Sequence, residues 1–242
     1  MLVAGFGAGT INALIGSGTL ITFPALLAVG YSPIVANVSN NLGLVPGAAS
    51  SAVGYREELR GRRGQLLRYA PATAIGSAIG AILLLTLPEA AFEVIVPILI
   101  AISLVLVILQ PRLSAWVAAR RTEHRPEGGK VLLGGIFATG IYGGYFGAAQ
   151  GILLFGILAS SLDQDLREVN AVRAVLAGVA NAVAAVIFVF AAEVAWLAVL
   201  LIAIGSTAGG LFGAKIGRRL SDAVLRAVVV VVGLAAIAQL LL

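Results

Sequence analysis

Residues 9–19 read Gly9-Thr10-Ile11-Asn12-Ala13-Leu14-Ile15-Gly16-Ser17-Gly18-Thr19, and residues 140–151 read Gly140-Ile141-Tyr142-Gly143-Gly144-Tyr145-Phe146-Gly147-Ala148-Ala149-Gln150-Gly151. Each stretch lies inside a long apolar run, 2–29 in the first case and 131–160 in the second. A straight membrane span needs about 20 residues, so each run is too long for one span and too short for two. Glycine costs about 1 kcal/mol against alanine in a helix interior, so Gly16-Ser17-Gly18-Thr19 and Gly147-Ala148-Ala149-Gln150-Gly151 favour an interruption. Close helix packing through small residues is the competing account. The break recurs at one place in both runs, which favours a broken or re-entrant helix whose backbone lines a cavity.

Outward from these breaks the repetition continues. Gly9 to Gly16 resembles Gly140 to Gly147, and Ala36-Asn37-Val38 matches Val169-Asn170-Ala171. Gly76-Ser77 with Gly80 matches Gly205-Ser206 with Gly209, and Leu87-Pro88-Glu89-Ala90 matches Leu220-Ser221-Asp222-Ala223. The order is shared and the spacing nearly so. This divides the chain into a first transmembrane repeat, 1–110, a basic linker, 111–130, and a second repeat, 131–242.

Composition sets the solvent. Apolar residues make up 60% of the chain and charged residues 11%, against about 25% charged in an ordinary soluble domain. Further apolar runs fall at 34–55, 67–87, 89–109, 168–190, 194–213 and 222–242. Their apolar residues run all round the helix, the pattern of burial in lipid. The prediction is an all-α membrane protein of about eight hydrophobic segments in two homologous, inverted halves, each opening with a broken segment.

The formal charge of +5 would suggest nucleic acid in a soluble protein; here basic loops mark the cytoplasmic face, and no nucleic-acid partner is expected. Basic clusters occur at 56–68, in the linker and around 215–226. They share one face only if each half crosses an odd number of times, which inverts the second half and places both termini away from the cytoplasm. There is no cysteine, so disulfides and thiolate metal sites are excluded. His124 reads as a linker residue, without metal or catalytic role. The start lacks the basic residues of a signal peptide, so no cleaved segment is expected. No phosphate-binding loop of the Gly-x-x-x-x-Gly-Lys-Ser/Thr type is present, and neither a cofactor nor a metal is expected. The sequence is compatible with a homo-oligomer without selecting one.

The glycine-rich first break, the Ala36-Asn37-x-x-Asn40-Asn41 entry to the second segment, and Gly54-Tyr55-Arg56-Glu57-Glu58-Leu59 at its end resemble the TauE/SafE sulfite exporter family. Asn170-Ala171-Val172-Arg173 and Ala203-Ile204-Gly205-Ser206-Thr207-Ala208-Gly209-Gly210 extend the likeness over essentially the whole chain. The resemblance implies a bacterial plasma-membrane transporter associated with small sulfur-containing anions such as sulfite or sulfonates. The family's break is often richer in glycine than Gly16-Ser17-Gly18-Thr19, and Gln150 stands among alanines in the second.

Polar groups in hydrocarbon are costly, and each needs an account. Arg173 would be a fixed positive charge at an anion site, its planar donors suited to an oxyanion; snorkelling to headgroups is the alternative. Asn37 with Asn40 or Asn41, and Asn170 with Arg173, share helix faces. N-capping competes for Asn37 and Asn170, interhelical hydrogen bonding for Asn40 and Asn41. Ser17, Thr19 and Gln150 sit beside the breaks, where backbone amides and a helix dipole favour anions. Asn181 and Asn12 complete the candidates for a small anionic substrate. The glycines at 76, 80, 205, 209 and 213 read as packing residues.

No carboxylate or histidine lies well inside a predicted span, so no proton relay is evident. For the same reason an intramembrane enzyme, which needs acid–base or nucleophilic groups in reach of one another, does not fit, and no catalytic residue is expected. A membrane scaffold without transport activity is the remaining alternative.

Overall fold

A computed structural model describes residues 1–119, 129–216 and 222–241. His124, the linker residues Arg120, Arg121 and Arg125, and Arg218 and Arg219 lie outside the described residues. Among the described residues ten helices run in chain order: α1 (Leu2–Leu14), α2 (Thr19–Ala28), α3 (Pro33–Gly54), α4 (Arg63–Thr86), α5 (Glu89–Ala119), α6 (Lys130–Tyr145), α7 (Gln150–Ser161), α8 (Leu166–Ala191), α9 (Trp196–Ile216) and α10 (Asp222–Leu241). The described residues contain no strand. The two opening runs, 2–29 and 131–160, are each interrupted, into α1 and α2 and into α6 and α7. Helix α5 passes through Pro97 and Pro111 and continues to Ala119, into the stretch read as linker.

Among the described residues, four helices are long and apolar enough to cross a membrane, over Arg63–Thr86, Glu89–Arg112, Leu166–Ala191 and Trp196–Lys215. Helix α3 has the length, but Asn37, Ser39, Asn40, Asn41, Ser50 and Ser51 dilute its apolar character, and all six are buried. The surface has the opposite character. Val131 is 90% exposed and Phe190 86%, whereas Ser39, Thr73, Ser77 and Ser206 are fully buried. Water would reverse that partition; hydrocarbon permits it, because apolar side chains lose nothing by facing lipid and polar ones must pair internally.

Packing is organised by small residues. Helix α1 lies along α9 and α6 lies along α4, with contacts advancing in the same chain direction in each pair. A β-carbon on Gly209 would lie 2.0 Å from the Phe6 carbonyl oxygen, and one on Gly80 2.0 Å from that of Ile141. Such backbone approach is the usual means of helix association in lipid, where apolar side chains gain little by leaving the solvent. Helix α3 packs on α9 and α8, α4 on α8, α2 on α10, and α7 on α5.

Candidate functional site

Both breaks are built the same way. In the first, the amides of Ile15 and Gly16 both donate to the Ile11 carbonyl; in the second, Phe146 and Gly147 both donate to that of Tyr142. Gly16 has φ +85° and Gly147 φ +75°, the left-handed conformation that closes a helix C-terminus at little cost only for glycine. Ala149 also takes a left-handed φ of 57° as the residue before α7. The breaks then meet. The Gly151 amide donates to the Gly16 carbonyl at 3.1 Å, and a β-carbon on Gly16 would lie 2.6 Å from the Gly151 α-carbon.

Arg173 reaches this meeting point from α8. Asp165 caps that helix, its carboxylate accepting from the Arg167 amide at 3.0 Å. Starting the helix at Leu166 places Asn170 and Arg173 one turn apart on one face, toward the end of α1. The Arg173 side chain is 1% exposed and so does not snorkel. Nη1 donates to the Asn12 carbonyl at 3.1 Å and Nη2 to the Ala13 carbonyl at 2.8 Å, while Nε has no partner. These carbonyls carry the partial negative charge of the α1 C-terminus. A β-carbon on either Gly16 or Gly151 would collide with Nη1, at 2.2 and 2.5 Å. The guanidinium therefore fits because both breaks carry glycine there.

Asn170 Nδ2 donates to the same Ala13 carbonyl at 3.3 Å and to the Tyr55 hydroxyl at 3.0 Å, and that hydroxyl donates to Ala13 at 3.0 Å. At the other break, Asn37 Nδ2 donates to the Tyr145 carbonyl at 2.9 Å. Neither asparagine is the N-cap of its own helix, since Ser32 and Asp165 hold those positions. Each instead satisfies a carbonyl at the end of a distant helix, Asn37 that of α6 and Asn170 that of α1.

The remaining candidates disperse. Asn40 donates to Thr19 Oγ1 at 3.3 Å and accepts from Thr22 Oγ1, joining α3 to α2. Asn41 donates to Asn181 Oδ1 at 3.4 Å between α3 and α8. Gln150 Nε2 turns back to the Thr139 carbonyl of α6 at 3.2 Å. Asn12 contributes its carbonyl. Ser17 is 1% exposed and its Oγ has no partner. The structure thus gathers Arg173, Asn170, Asn12 and Ser17 at the first break, Asn37 at the second, and leaves Asn41 and Asn181 in the interface between.

Four polar residues of this network lie outside the sequence-based candidates: Tyr55, Thr22, Ser103 and Tyr142. Ser103 of α5 and Tyr142 of α6 both donate to the Ala148 carbonyl in the second break. Tyr55 falls in the Gly54-Tyr55-Arg56 element, a signal that was available; single serines and threonines on apolar helices gave none.

The family model for the sulfite exporter TauE/SafE matches residues 1–240. The chain is 27% identical over 235 residues to the probable membrane transporter protein YfcA of Escherichia coli (strain K12), covering 97% of this chain and 86% of the relative. It is 26% identical over 234 residues to a probable membrane transporter protein of Haemophilus influenzae, covering 96% and 89%. No solved structure is significantly similar. The relatives carry transporter names, the matched family is one of membrane transporters rather than enzymes, and the polar network lies inside an apolar helical shell. The chain belongs to the sulfite exporter TauE/SafE family of membrane transporters.

Proposed function

We propose that this transporter exports a small anion, such as sulfite, a sulfonate or a related organic anion, across the bacterial plasma membrane. The observation that carries the reading is Arg173: a buried guanidinium set against both breaks, with no buried acidic partner among the described residues. Removing a cation from water costs several kcal/mol, and the usual compensation is an opposite charge. Here the protein supplies only carbonyl dipoles, so an anionic substrate is the natural complement. Asn170, Asn12 and Ser17 stand beside it, and Asn37, Asn40, Asn41, Thr19, Gln150 and Asn181 hold the surrounding helices.

Two inverted halves, 1–110 and 131–242 around the linker, are part of this reading. Helix pairing supports it: α1 on α9 answers α6 on α4, α3 on α9 answers α8 on α4, and α2 on α10 answers α7 on α5. Inverted repeats with broken helices at their junction are a common transporter plan. The first basic cluster, 56–68, spans the loop 55–62 and the start of α4 and faces the cytoplasm on this reading. Export is driven by the membrane potential, worth about 2.3 kcal/mol per charge per 100 mV.

The test is flux from proteoliposomes loaded with sulfite or a sulfonate. Wild type should follow an imposed potential, and Arg173→Ala should lose transport while still inserting. Flux that tracked a pH gradient at clamped voltage, or an active Arg173→Ala protein, would contradict the proposal.

A further inference from the structure

The first break and the second are not chemically equivalent. The first contains Ser17, whose buried hydroxyl lacks a partner; the matching position in the second is Ala148. The first also opens α2, a ten-residue helix, whereas at the second the Gly151 amide is already taken by Gly16. Arg173 adds one more unspent donor, Nε, on a side chain whose Nη1 packs against Gly16, the neighbour of Ser17. The second break has its own unpaired buried hydroxyl, that of Tyr145 at the end of α6, so the difference between the breaks is Ser17, which adjoins the glycine that Nη1 packs against.

Charge decides what Ser17 Oγ and Arg173 Nε receive. Among the described residues Arg173 is the one buried charged side chain. Glu168, one turn nearer the start of α8, is paired with Arg62, and Asp165 caps the helix. At the break the C-terminus of α1 and the N-terminus of α2 stand side by side. Each carries about half a charge, of opposite sign, so the two largely cancel. The net charge of the centre is that of one guanidinium.

We infer that the centre is a monoanion site at the first break, completed by Ser17 Oγ and Arg173 Nε, and that it discriminates against dianions. This rests on the anion-transport reading above and adds the charge class of the substrate. A singly charged oxyanion leaves the centre neutral. A dianion leaves one negative charge buried without a counter-ion, at a cost of several kcal/mol.

Methanesulfonate and sulfate separate the cases, since they share a tetrahedral oxyanion face and differ in charge at every pH near neutrality. Binding of each to the detergent-purified full chain should be measured by calorimetry, for wild type and Ser17→Ala. The expected result is methanesulfonate tighter than sulfate by about 10-fold or more. Ser17→Ala should weaken methanesulfonate by about 10-fold, the usual scale of a hydrogen bond to a charged group. Its unfolding temperature should be unchanged, because the hydroxyl has no protein partner to lose. Sulfate binding as tightly as methanesulfonate, or Ser17→Ala binding like wild type, overturns the inference and leaves anion transport standing. Failure of both anions, and of sulfite, to bind overturns the anion reading itself.

Discussion

Arg173 Nη2 and the Ala13 carbonyl, from α8 and α1, lie 2.8 Å apart. That bond makes Arg173 a terminal cap of a helix 160 residues away in the chain. Asn37 does the reverse, from α3 to the end of α6. Each break is therefore held by a side chain from a helix distant in the chain, and the guanidinium is fixed by protein carbonyls.

Replacing Arg173 with lysine keeps the charge and loses the fork. The ammonium cannot reproduce the fork to the Asn12 and Ala13 carbonyls, but Ala13 keeps Asn170 and Tyr55, so the stability cost should be about 1 kcal/mol. Thermal unfolding in detergent should fall accordingly, and anion flux in proteoliposomes should drop by about 10-fold or more. Wild-type flux in Arg173→Lys would show that charge alone suffices.

Asn37→Ala and Asn170→Ala should behave unequally. Among the described residues, Asn37 is the only side chain donating to the Tyr145 carbonyl, so its loss should cost about 1–3 kcal/mol. The Ala13 carbonyl keeps Tyr55 and Arg173 when Asn170 is removed, so that variant should lose less than about 1 kcal/mol. Unfolding midpoints of the two proteins, compared in one detergent, give the answer.

A leucine at Gly209 has nowhere to go. Its β-carbon would meet the Phe6 carbonyl oxygen at 2.0 Å and its carbonyl carbon at 2.9 Å, both backbone. Separating α1 from α9 should cost about 3 kcal/mol or more. Gly134→Leu, with nothing within 4 Å of the added β-carbon, is the control and should unfold at the wild-type temperature.

The Arg62–Glu168 pair joins the loop after α3 to the start of α8, with side chains 27% and 31% exposed. A double-mutant cycle on unfolding should return less than about 1 kcal/mol, and less still at high salt. A larger coupling would make this contact a structural clamp between the two segments.

Because the chain has no cysteine, single cysteines report sidedness without a background. Arg60→Cys lies in the basic loop beside the start of α8, and Glu193→Cys follows the end of that helix. In intact cells an impermeant maleimide should label Glu193→Cys and spare Arg60→Cys. The opposite pattern would turn the molecule over.

Much of the architecture is written in composition and repetition. The breaks, the long helices α3 and α8 that follow them and the glycine stripes could be placed because hydrocarbon admits few solutions: all-round apolar helices, interrupted only where small residues recur. Helix ends were less legible. Asn37 and Asn170 read equally as N-caps and binding groups, and their true partners are carbonyls far away in the chain. Distance in sequence gives no warning of such a bond.

The sequence alone determined that this is an all-helical membrane protein of a transporter family, since so few charges cannot cover a water-facing surface and the motifs recur in order. Tertiary structure alone decided which polar residues meet. Arg173 lies against Gly16 and Gly151 because two breaks far apart in the chain meet there, and only packing in space brings their backbones within hydrogen-bonding distance.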